Sequence, residues 1–162
     1  MAQRKPAPGH FSIVIGLRTI CYNNSMKIFI ASPWRNKEKV LRLSEDLTKQ
    51  GHQVYSFLQN GENLLTGTSI GEELRTFGTA LKNWENDPKI KRIFDSELEG
   101  LKKSDVLLLL QPSGHSSLIE AGIAYGMGKR VISIGPVEWP EVFYLICEEI
   151  YHDTETFLKE FH

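Results

Sequence analysis

The chain has 162 residues, which suits one domain, and 41% hydrophobic with 24% charged residues is an ordinary globular composition. Nineteen Lys and Arg against twenty Asp and Glu give a net charge of −1, which argues against nucleic acid or an acidic membrane surface as a partner. The only cysteines, Cys21 and Cys147, form no CxxC or Cys/His cluster, which argues against a disulfide framework and a metal site. We therefore expect a small-molecule ligand, no cofactor and a reducing, cytoplasmic environment.

The first 25 residues have the composition of a leader rather than of a packed domain. They contain Pro and Gly and then an irregular stretch, so we expect an N-terminal extension at 1–25 and a single domain at 26–162. The apolar run FSIVIGL is interrupted by Arg18 and lacks a small-residue cleavage site, so it does not predict a secretory signal. No stretch of the sequence is apolar for long enough to predict a membrane span.

From Met26 onward, strand-like and helix-like patterns alternate. KIFIAS is an apolar, β-rich run, and the following NKEKVLRLSEDLTKQ places Val40, Leu43 and Leu47 at helical spacing before a stop at Gly51. QVYSF predicts a second short strand. The segment SIGEELRTFGTALKNW keeps helical spacing at 69–84, although its two glycines weaken that pattern.

The second half of the chain continues the alternation. Asp87 and Pro88 form an N-cap and first-turn pair for a helix with an apolar stripe. The residues of this stripe are Ile90, Ile93, Phe94, Leu98 and Leu101. DVLLLL has no polar alternation, which is typical of a strand covered on both faces. A helix at PSGHSSLIEAGIAYG, the strand RVISIG and the amphipathic end DTETFLKEFH follow.

This alternation predicts a small doubly wound α/β domain of the flavodoxin/Rossmann-like kind, with four or five parallel strands and helices on both faces. Ligands bind such sheets outside the carboxyl ends of the strands. The segments SPWRN (32–36) and QPSGHSS (111–117) follow two of the predicted strands. From them we predict the ligand-binding residues Ser32, Trp34, Arg35, Ser113, Gly114, His115, Ser116 and Ser117.

These residue types suit a nucleotide, but each also has an ordinary structural interpretation. Trp34 could stack on a base and Arg35 could pair with a phosphate, or they could be a rim aromatic and a solvated charge. Glycine and consecutive serines at a helix start suit a phosphate or sugar hydroxyls, or form a simple strand-to-helix turn. The segment is neither a Walker loop nor a GxGxxG fingerprint.

Glu120 is the one carboxylate in the otherwise apolar segment 118–124. A buried carboxylate needs a partner, a cap or a chemical role. The S-x-x-E spacing of Ser117 and Glu120 predicts a capping box. Alternatively, the helix start holds the carboxylate ionised in a ligand cleft, where it can attack an electrophilic carbon. Spacing alone leaves both interpretations open, just as it leaves Asp95 open to a surface ion pair with Lys91.

The segments MKIFIASPW, IFDSELEGLKKSDVLLLL and PSGHSSLIEAGIAYGMGKRVI, in this order, resemble the nucleoside 2-deoxyribosyltransferase-like family, which includes 2-deoxynucleoside 5-monophosphate N-glycosidases. The resemblance covers most of residues 26–135. It implies that Glu120 is the nucleophile and that Asp95 helps to hold or protonate the substrate. The implied reaction is attack of Glu120 on C1 of the deoxyribose, departure of the base, and transfer of the sugar to water or another base. It also implies a homo-oligomer.

Two positions differ from the family pattern. Ile28 stands where transferases often have tyrosine, and Gly114 stands where they have an acidic residue, so hydrolysis and transfer are both open. Nearby serines favour a phosphorylated substrate. A more distant resemblance, to cytokinin-activating phosphoribohydrolases, gives a second hypothesis, and a non-catalytic nucleotide-binding module gives a third.

Overall fold

The computed structural model of the chain describes residues 14–15, 18–19, 25–58 and 84–161. In the leader, the two-residue strands Val14–Ile15 (β1) and Arg18–Thr19 (β2) pair with each other in antiparallel fashion. The helix predicted at 69–84 lies outside the described residues, except for Trp84, which begins a 3₁₀ turn.

Among the residues that the structure describes, five parallel strands form the central sheet. In chain order they are Lys27–Ala31 (β3), Gln53–Ser56 (β4), Val106–Leu110 (β5), Arg130–Ile134 (β6) and Glu149–Tyr151 (β7). Across the sheet the order is β4-β3-β5-β6-β7, and all four pairings are parallel. This is the flavodoxin-like order. From β3 the chain first adds β4 on one side of the sheet, and it then adds β5, β6 and β7 on the other side, so the switch point lies between β3 and β5. The predicted doubly wound fold is therefore confirmed.

In the described ranges, four helices cover the two faces of the sheet. They are Lys37–Lys49 (α1), Pro88–Lys103 (α2), His115–Gly126 (α3) and Thr154–Glu160 (α4). Two longer connections contain the 3₁₀ turns Trp34–Asn36 (η1) and Val142–Ile146 (η2). Among the helices of the described ranges, none has the length and apolar content needed to cross a membrane.

Side chains of successive strand residues enter two separate cores because they point to opposite faces of the sheet. Ile28 and Ile30 of β3 pack with the apolar side chains of α1 and α4, whereas Phe29 packs with those of α2 and α3. All five residues of β5 are buried, as the unbroken run VLLLL predicts.

Local signals in the sequence fix several helix ends. Gly51 has a φ of 94°, a left-handed conformation that glycine adopts without steric cost, just after α1. The Asp87 side chain accepts a hydrogen bond of 2.7 Å from the amide of Lys89 at the start of α2, as the Asp-Pro pair predicts. The predicted apolar stripe of α2 is only partly correct, because Leu101 is buried but Phe94 is 60% exposed.

Candidate active site

The loops after β3 and β5 lie side by side because these strands are neighbours in the sheet. The Ser32 hydroxyl donates a hydrogen bond of 3.1 Å to the carbonyl of Leu110. The Asn36 amide donates to the Ser32 hydroxyl at 2.9 Å and to the carbonyl of Pro112 at 3.0 Å. Since Ser32 and Asn36 are both buried, these bonds fix one loop against the other.

The two larger residues of the first loop serve different parts of the structure. The Arg35 guanidinium donates a hydrogen bond of 2.9 Å to the carbonyl of Ser113, which joins the two predicted binding loops. Trp34 packs on Phe57 with ring centroids 5.1 Å apart, and the Lys37 ammonium lies 5.3 Å from the centre of the Trp34 ring. Trp34 therefore lies toward β4, whereas Arg35 lies toward β5.

Helix α3 begins three residues earlier than a capping box at Ser117 requires. Its N-cap is Gly114, in an extended conformation, and no side chain caps this helix start. Ser117 therefore occupies the first turn and Glu120 the second, so neither side chain stands at a capping position. The capping-box interpretation is wrong. Ser117 is 2% exposed and faces the sheet, whereas Ser116 is exposed.

Glu120 of α3 and Glu97 of α2 are both half-buried and lie within electrostatic range of each other. Burial, together with the charge of Glu97, raises the pKa of Glu120 to about 8. Burial also raises the pKa of Glu97 to about 7. Two carboxylates that interact in this way titrate as a pair, and the first ionisation makes the second harder. The pair therefore holds about one proton near neutral pH.

Asp95, predicted from the resemblance as the second acidic residue, is exposed on α2. Two residues further along, the helix has turned by roughly 200° at 100° per residue, and Glu97 faces α3 instead. The sequence does carry a signal for Glu97. It follows Ile93 by four residues and precedes the buried Leu101 by four, so it occupies the apolar stripe of α2. A carboxylate in such a stripe indicates a buried acid.

A groove of about 880 Å³ lies on the other flank of α3. Helix α3 contributes His115, Leu118, Gly122 and Tyr125 to it, and these lie roughly 140–160° around the helix from Glu120. The predicted binding residues Arg35, Ser113, Gly114 and His115 line this groove. The structure thus separates the predicted site into a carboxylate flank (Glu97, Glu120 and the exposed Ser116) and a groove flank.

The floor of the groove is a hydrogen-bonded polar cluster around Gln111, which is 4% exposed. Its side-chain nitrogen donates to the Ser133 hydroxyl at 3.1 Å and to the Tyr144 hydroxyl at 3.5 Å, and its oxygen accepts from the Ser113 amide at 2.9 Å. The Tyr144 and Ser113 hydroxyls lie 3.3 Å apart. This cluster ties η2 to the loop that leads into α3. Gly135, with a φ of 104°, leaves room for Gln111, because a Cβ there would lie 3.0 Å from the Cβ of Gln111.

The part of the chain that the structure describes contains no candidate metal site, since no three His, Cys, Asp or Glu side chains cluster there. Cys147 lines the groove as a free thiol, and burial raises its pKa. The thiolate that nucleophilic or metal chemistry needs is therefore disfavoured.

Fold and side chains together define an α/β protein of flavodoxin-like strand order with two half-buried, electrostatically coupled carboxyl groups on neighbouring helices. Among solved structures, the chain is similar to the 2-deoxyribosyltransferase of Bacillus psychrosaccharolyticus, with 23% identity and a TM-score of 0.54 over 83% of this chain and 91% of that one. It is also similar to the CMP N-glycosidase of Clostridium botulinum, with 17% identity and a TM-score of 0.50 over 82% and 94% of the two chains. A conserved protein from Enterococcus faecalis V583 gives 16% identity and a TM-score of 0.55 over 84% and 96%.

These similarities are similarities of fold, at identities below one quarter. The deoxyribosyltransferase and the N-glycosidase are the two kinds of protein that the sequence resembles, so the predicted resemblance is confirmed at the level of the fold. No protein-family model and no curated protein matches the chain.

Proposed function

We propose that this protein is an enzyme that cleaves the N-glycosidic bond of a nucleoside or nucleoside 5-monophosphate, with Glu120 as the nucleophile. The observation that carries the proposal is the half-buried pair of carboxyl groups, Glu97 and Glu120, whose pKa values are raised to about 7 and about 8. Strongly raised carboxyl pKa values are characteristic of functional sites. The fold shared with a 2-deoxyribosyltransferase and a CMP N-glycosidase supports the same chemistry.

A pair with one proton can supply the two groups that a retaining glycosidase needs when the proton lies on Glu97 and the charge on Glu120. Because the pKa of Glu120 is the higher of the two, this is the less populated of the two one-proton forms, and the reaction draws on it. One carboxylate attacks the anomeric carbon, while the other carboxylic acid protonates the leaving group. In the proposed reaction, the Glu120 carboxylate forms a bond to C1 of the sugar as the bond from C1 to the base nitrogen breaks. The departing base takes the proton of Glu97, and a glycosyl ester remains on Glu120.

The second half of the reaction regenerates the pair. Water, or the nitrogen of another base, attacks C1 and displaces the Glu120 carboxylate, and Glu97 accepts the proton that the incoming group releases. A 2-deoxy sugar lacks the hydroxyl that would withdraw electrons from the oxocarbenium-like transition state, so one positioned nucleophile can suffice. Transfer to water gives a hydrolase, and transfer to a base gives a transferase.

We assign the acid role to Glu97 because it is half-buried and electrostatically coupled to Glu120, whereas Asp95 is exposed. The role that the resemblance implies for Asp95 stays a prediction, and the two acids can be separated experimentally. Glu97→Gln should remove most of the activity, and Asp95→Asn serves as the matched control on the same helix. The reverse result would return the role to Asp95.

The experiment that tests the proposed function is incubation with a panel of deoxynucleosides and deoxynucleoside monophosphates, with and without a second free base, and separation of the products by chromatography. Release of free base without an acceptor identifies a hydrolase, and exchange that needs the acceptor identifies a transferase. Binding without either product would support the nucleotide-binding module instead. Ribonucleoside monophosphates are added to the panel, and release of ribose 5-phosphate from them would favour the phosphoribohydrolase hypothesis.

We also propose that the enzyme works as a homo-oligomer, as the resemblance implies. Support comes from large apolar side chains that are largely exposed in the single chain, among them Trp139 and Phe143 at 80% each. Exposed apolar clusters of this kind mark interaction surfaces in soluble proteins. Sedimentation of the purified full chain measures the oligomeric state directly.

A further inference from the structure

Tyr55 of β4 joins the sheet to the middle of α2. Its ring stacks on Phe29 of the neighbouring strand β3, with ring centroids 5.2 Å apart and an angle of 18° between the planes. Its hydroxyl donates a hydrogen bond of 2.9 Å to the carbonyl of Ser96 in α2 and lies 3.2 Å from the Ser96 hydroxyl. Tyr55 therefore links a buried strand residue to the helix residue that directly precedes Glu97.

The Tyr55 ring fits against α2 because residue 100 is a glycine. A Cβ at Gly100 would lie 2.6 Å from two ring carbons of Tyr55, which is closer than two such atoms approach in proteins. Glycine inside a helix lowers the stability of that helix relative to alanine, so the close approach has a cost. Ser96 and Gly100 are four residues apart and lie on the same side of α2, so Tyr55 contacts the helix along one line.

Contact along this line fixes the rotation of α2 about its own axis. Glu97 lies roughly 100° from Ser96 around the helix in one direction, and Asp95 lies roughly 100° from it in the other. With Ser96 bonded to Tyr55, Glu97 is half-buried and within electrostatic range of Glu120, whereas Asp95 is exposed. The position of Ser96 therefore decides which of the two acids is turned toward α3.

Space beside this contact would let α2 shift if the hydrogen bond were lost. A cleft of about 450 Å³ lies between α2 and the strands β3 and β4. Its lining includes Tyr55, Ser96 and Gly100, together with Lys27 and Gln53 at the starts of the two strands. Atoms that border open space have fewer van der Waals partners, so the hydrogen bond to Ser96 contributes more to the position of the helix there.

We propose that Tyr55 is a positioning residue for the proposed reaction, which holds α2 in the rotation that places Glu97, and not Asp95, near Glu120. The effect on catalysis rests on the proposed function. The placement of the two acids, however, is a property of the folded chain that can be measured without a substrate. A displacement of about 1 Å can reduce an enzymatic rate about a hundredfold, so the loss of a hydrogen bond one residue from Glu97 should affect the rate.

Tyr55→Phe tests the proposal because it keeps the ring and removes only the hydroxyl. Carbon-13 NMR of the side-chain carboxyls, in a pH titration of the free protein, follows Glu97 and Glu120. The pKa values should be about 7 and about 8 in the parent and should move down toward 4.5 in Tyr55→Phe, because a turned helix exposes Glu97 and separates it from Glu120. We expect kcat to fall about tenfold or more while KM changes less than about threefold.

Two control variants separate positioning from stability alone. Ser96→Ala removes the hydroxyl contact but keeps the carbonyl that accepts the bond from Tyr55, so its titrations and kcat should match those of the parent. Lys129→Met removes the hydrogen bond of 2.9 Å from the Lys129 ammonium to the carbonyl of Lys102 at the far end of α2. This variant should unfold at a lower urea concentration and leave both carboxyl titrations unchanged.

The outcomes distinguish the role of Tyr55 from the proposed function. A Tyr55→Phe protein that titrates and turns over like the parent would overturn the positioning role and leave the glycosidase intact, and parent carboxyls that titrate near 4.5 would overturn it as well. Lowered pKa values in Tyr55→Phe, in a protein that cleaves no nucleoside, would support the role of Tyr55 in placing Glu97 and overturn the proposed function. If Tyr55→Phe does not fold, Gly100→Ala decides, because its added methyl group presses on the Tyr55 ring and must lower the same pKa values.

Discussion

The two flanks of α3 differ in almost every physical property. The groove flank is wide, open and largely apolar, and its buried polar groups are satisfied by one another around Gln111. The carboxylate flank lies between packed helices, and the pKa values of Glu97 and Glu120 are raised by burial. The groove of about 880 Å³ and the two carboxyl groups with strongly raised pKa values therefore lie on opposite sides of one helix.

This difference leads us to propose the chemistry on the carboxylate flank and not in the groove. A satisfied hydrogen-bond network stabilises a fold and has little tendency to react, whereas a buried acid pair keeps protons available near neutral pH. Cavity volume alone would place the active site in the groove. We propose from the titratable groups that it lies on the other flank, and variants of each flank can test that proposal.

The largest effect is expected from the nucleophile. Glu120→Gln keeps the size of the side chain but removes the anion, so glycosidic cleavage should fall at least about a thousandfold while ligand binding is retained. Single-turnover kinetics with the substrate found in the panel measures the loss. A folded variant that cleaves at the parent rate would place the chemistry elsewhere, with the groove flank as the next region to test.

The pH dependence of the rate should follow from the pair. Below about pH 7 both acids become protonated and the nucleophile is lost, and above about pH 8 both ionise and the acid is lost. We expect a bell-shaped kcat/KM that falls about tenfold per pH unit on each side. In Glu97→Gln the alkaline limb should disappear, because only one carboxylate remains. A parent profile that is flat between pH 5 and 9 would argue against the pair.

The carboxylate flank should also make folding stability depend on pH, with a definite sign. The folded pKa values of Glu97 and Glu120 lie above the ordinary 4.5, so the folded chain binds more protons than the unfolded chain at intermediate pH. The contribution of these two groups to the free energy of unfolding is fully present below about pH 4.5 and is lost as pH rises toward about 8.

Between pH 5 and pH 8, the parent should therefore lose more unfolding free energy than Glu120→Gln does. We expect the difference to be at least about 1 kcal/mol, the free energy of one pKa unit. Urea unfolding at the two pH values measures this difference. Glu99→Gln is the control, because Glu99 lies on the same helix but is exposed and paired with Lys103 at 3.3 Å. Equal pH responses of the two variants would mean that Glu120 is not buried in solution.

The smallest effect concerns the phosphate of a monophosphate substrate. Ser116 is exposed one helical turn before Glu120, whereas Ser113 lines the groove. If the substrate binds on the carboxylate flank, Ser116→Ala should weaken monophosphate binding up to about tenfold more than nucleoside binding, the scale of a hydrogen bond to a charged group. Ser113→Ala should change both ligands equally. Calorimetric titration of both variants distinguishes the flanks, and a selective loss in Ser113→Ala would move the phosphate to the groove.

Sequence by itself determined the fold, because its signals are local. The unbroken VLLLL of β5, the Asp-Pro start of α2 and the glycine after α1 each specify an element through backbone geometry or burial that neighbours in the chain impose. Alternation of strands and helices then leaves few arrangements other than a parallel sheet. The edge strand β7 carries a weaker signal, because it has only three residues and its Ile150 is 50% exposed.

Tertiary structure decided how the predicted site is divided. Spacing could not tell whether the N-cap of α3 is Gly114 or Ser117. With Ser117 as the N-cap, Glu120 would belong to a capping box, whereas with Gly114 as the N-cap it lies in the second turn. Sequence order alone gave no reason to prefer Glu97 over Asp95 as the partner of Glu120. The packing of α2 on α3 decides this, because it leaves Asp95 exposed and Glu97 half-buried. A shift of two residues turns a helical side chain to the far side of its helix, so the identity of a paired acid depends on helix packing and not on composition or order.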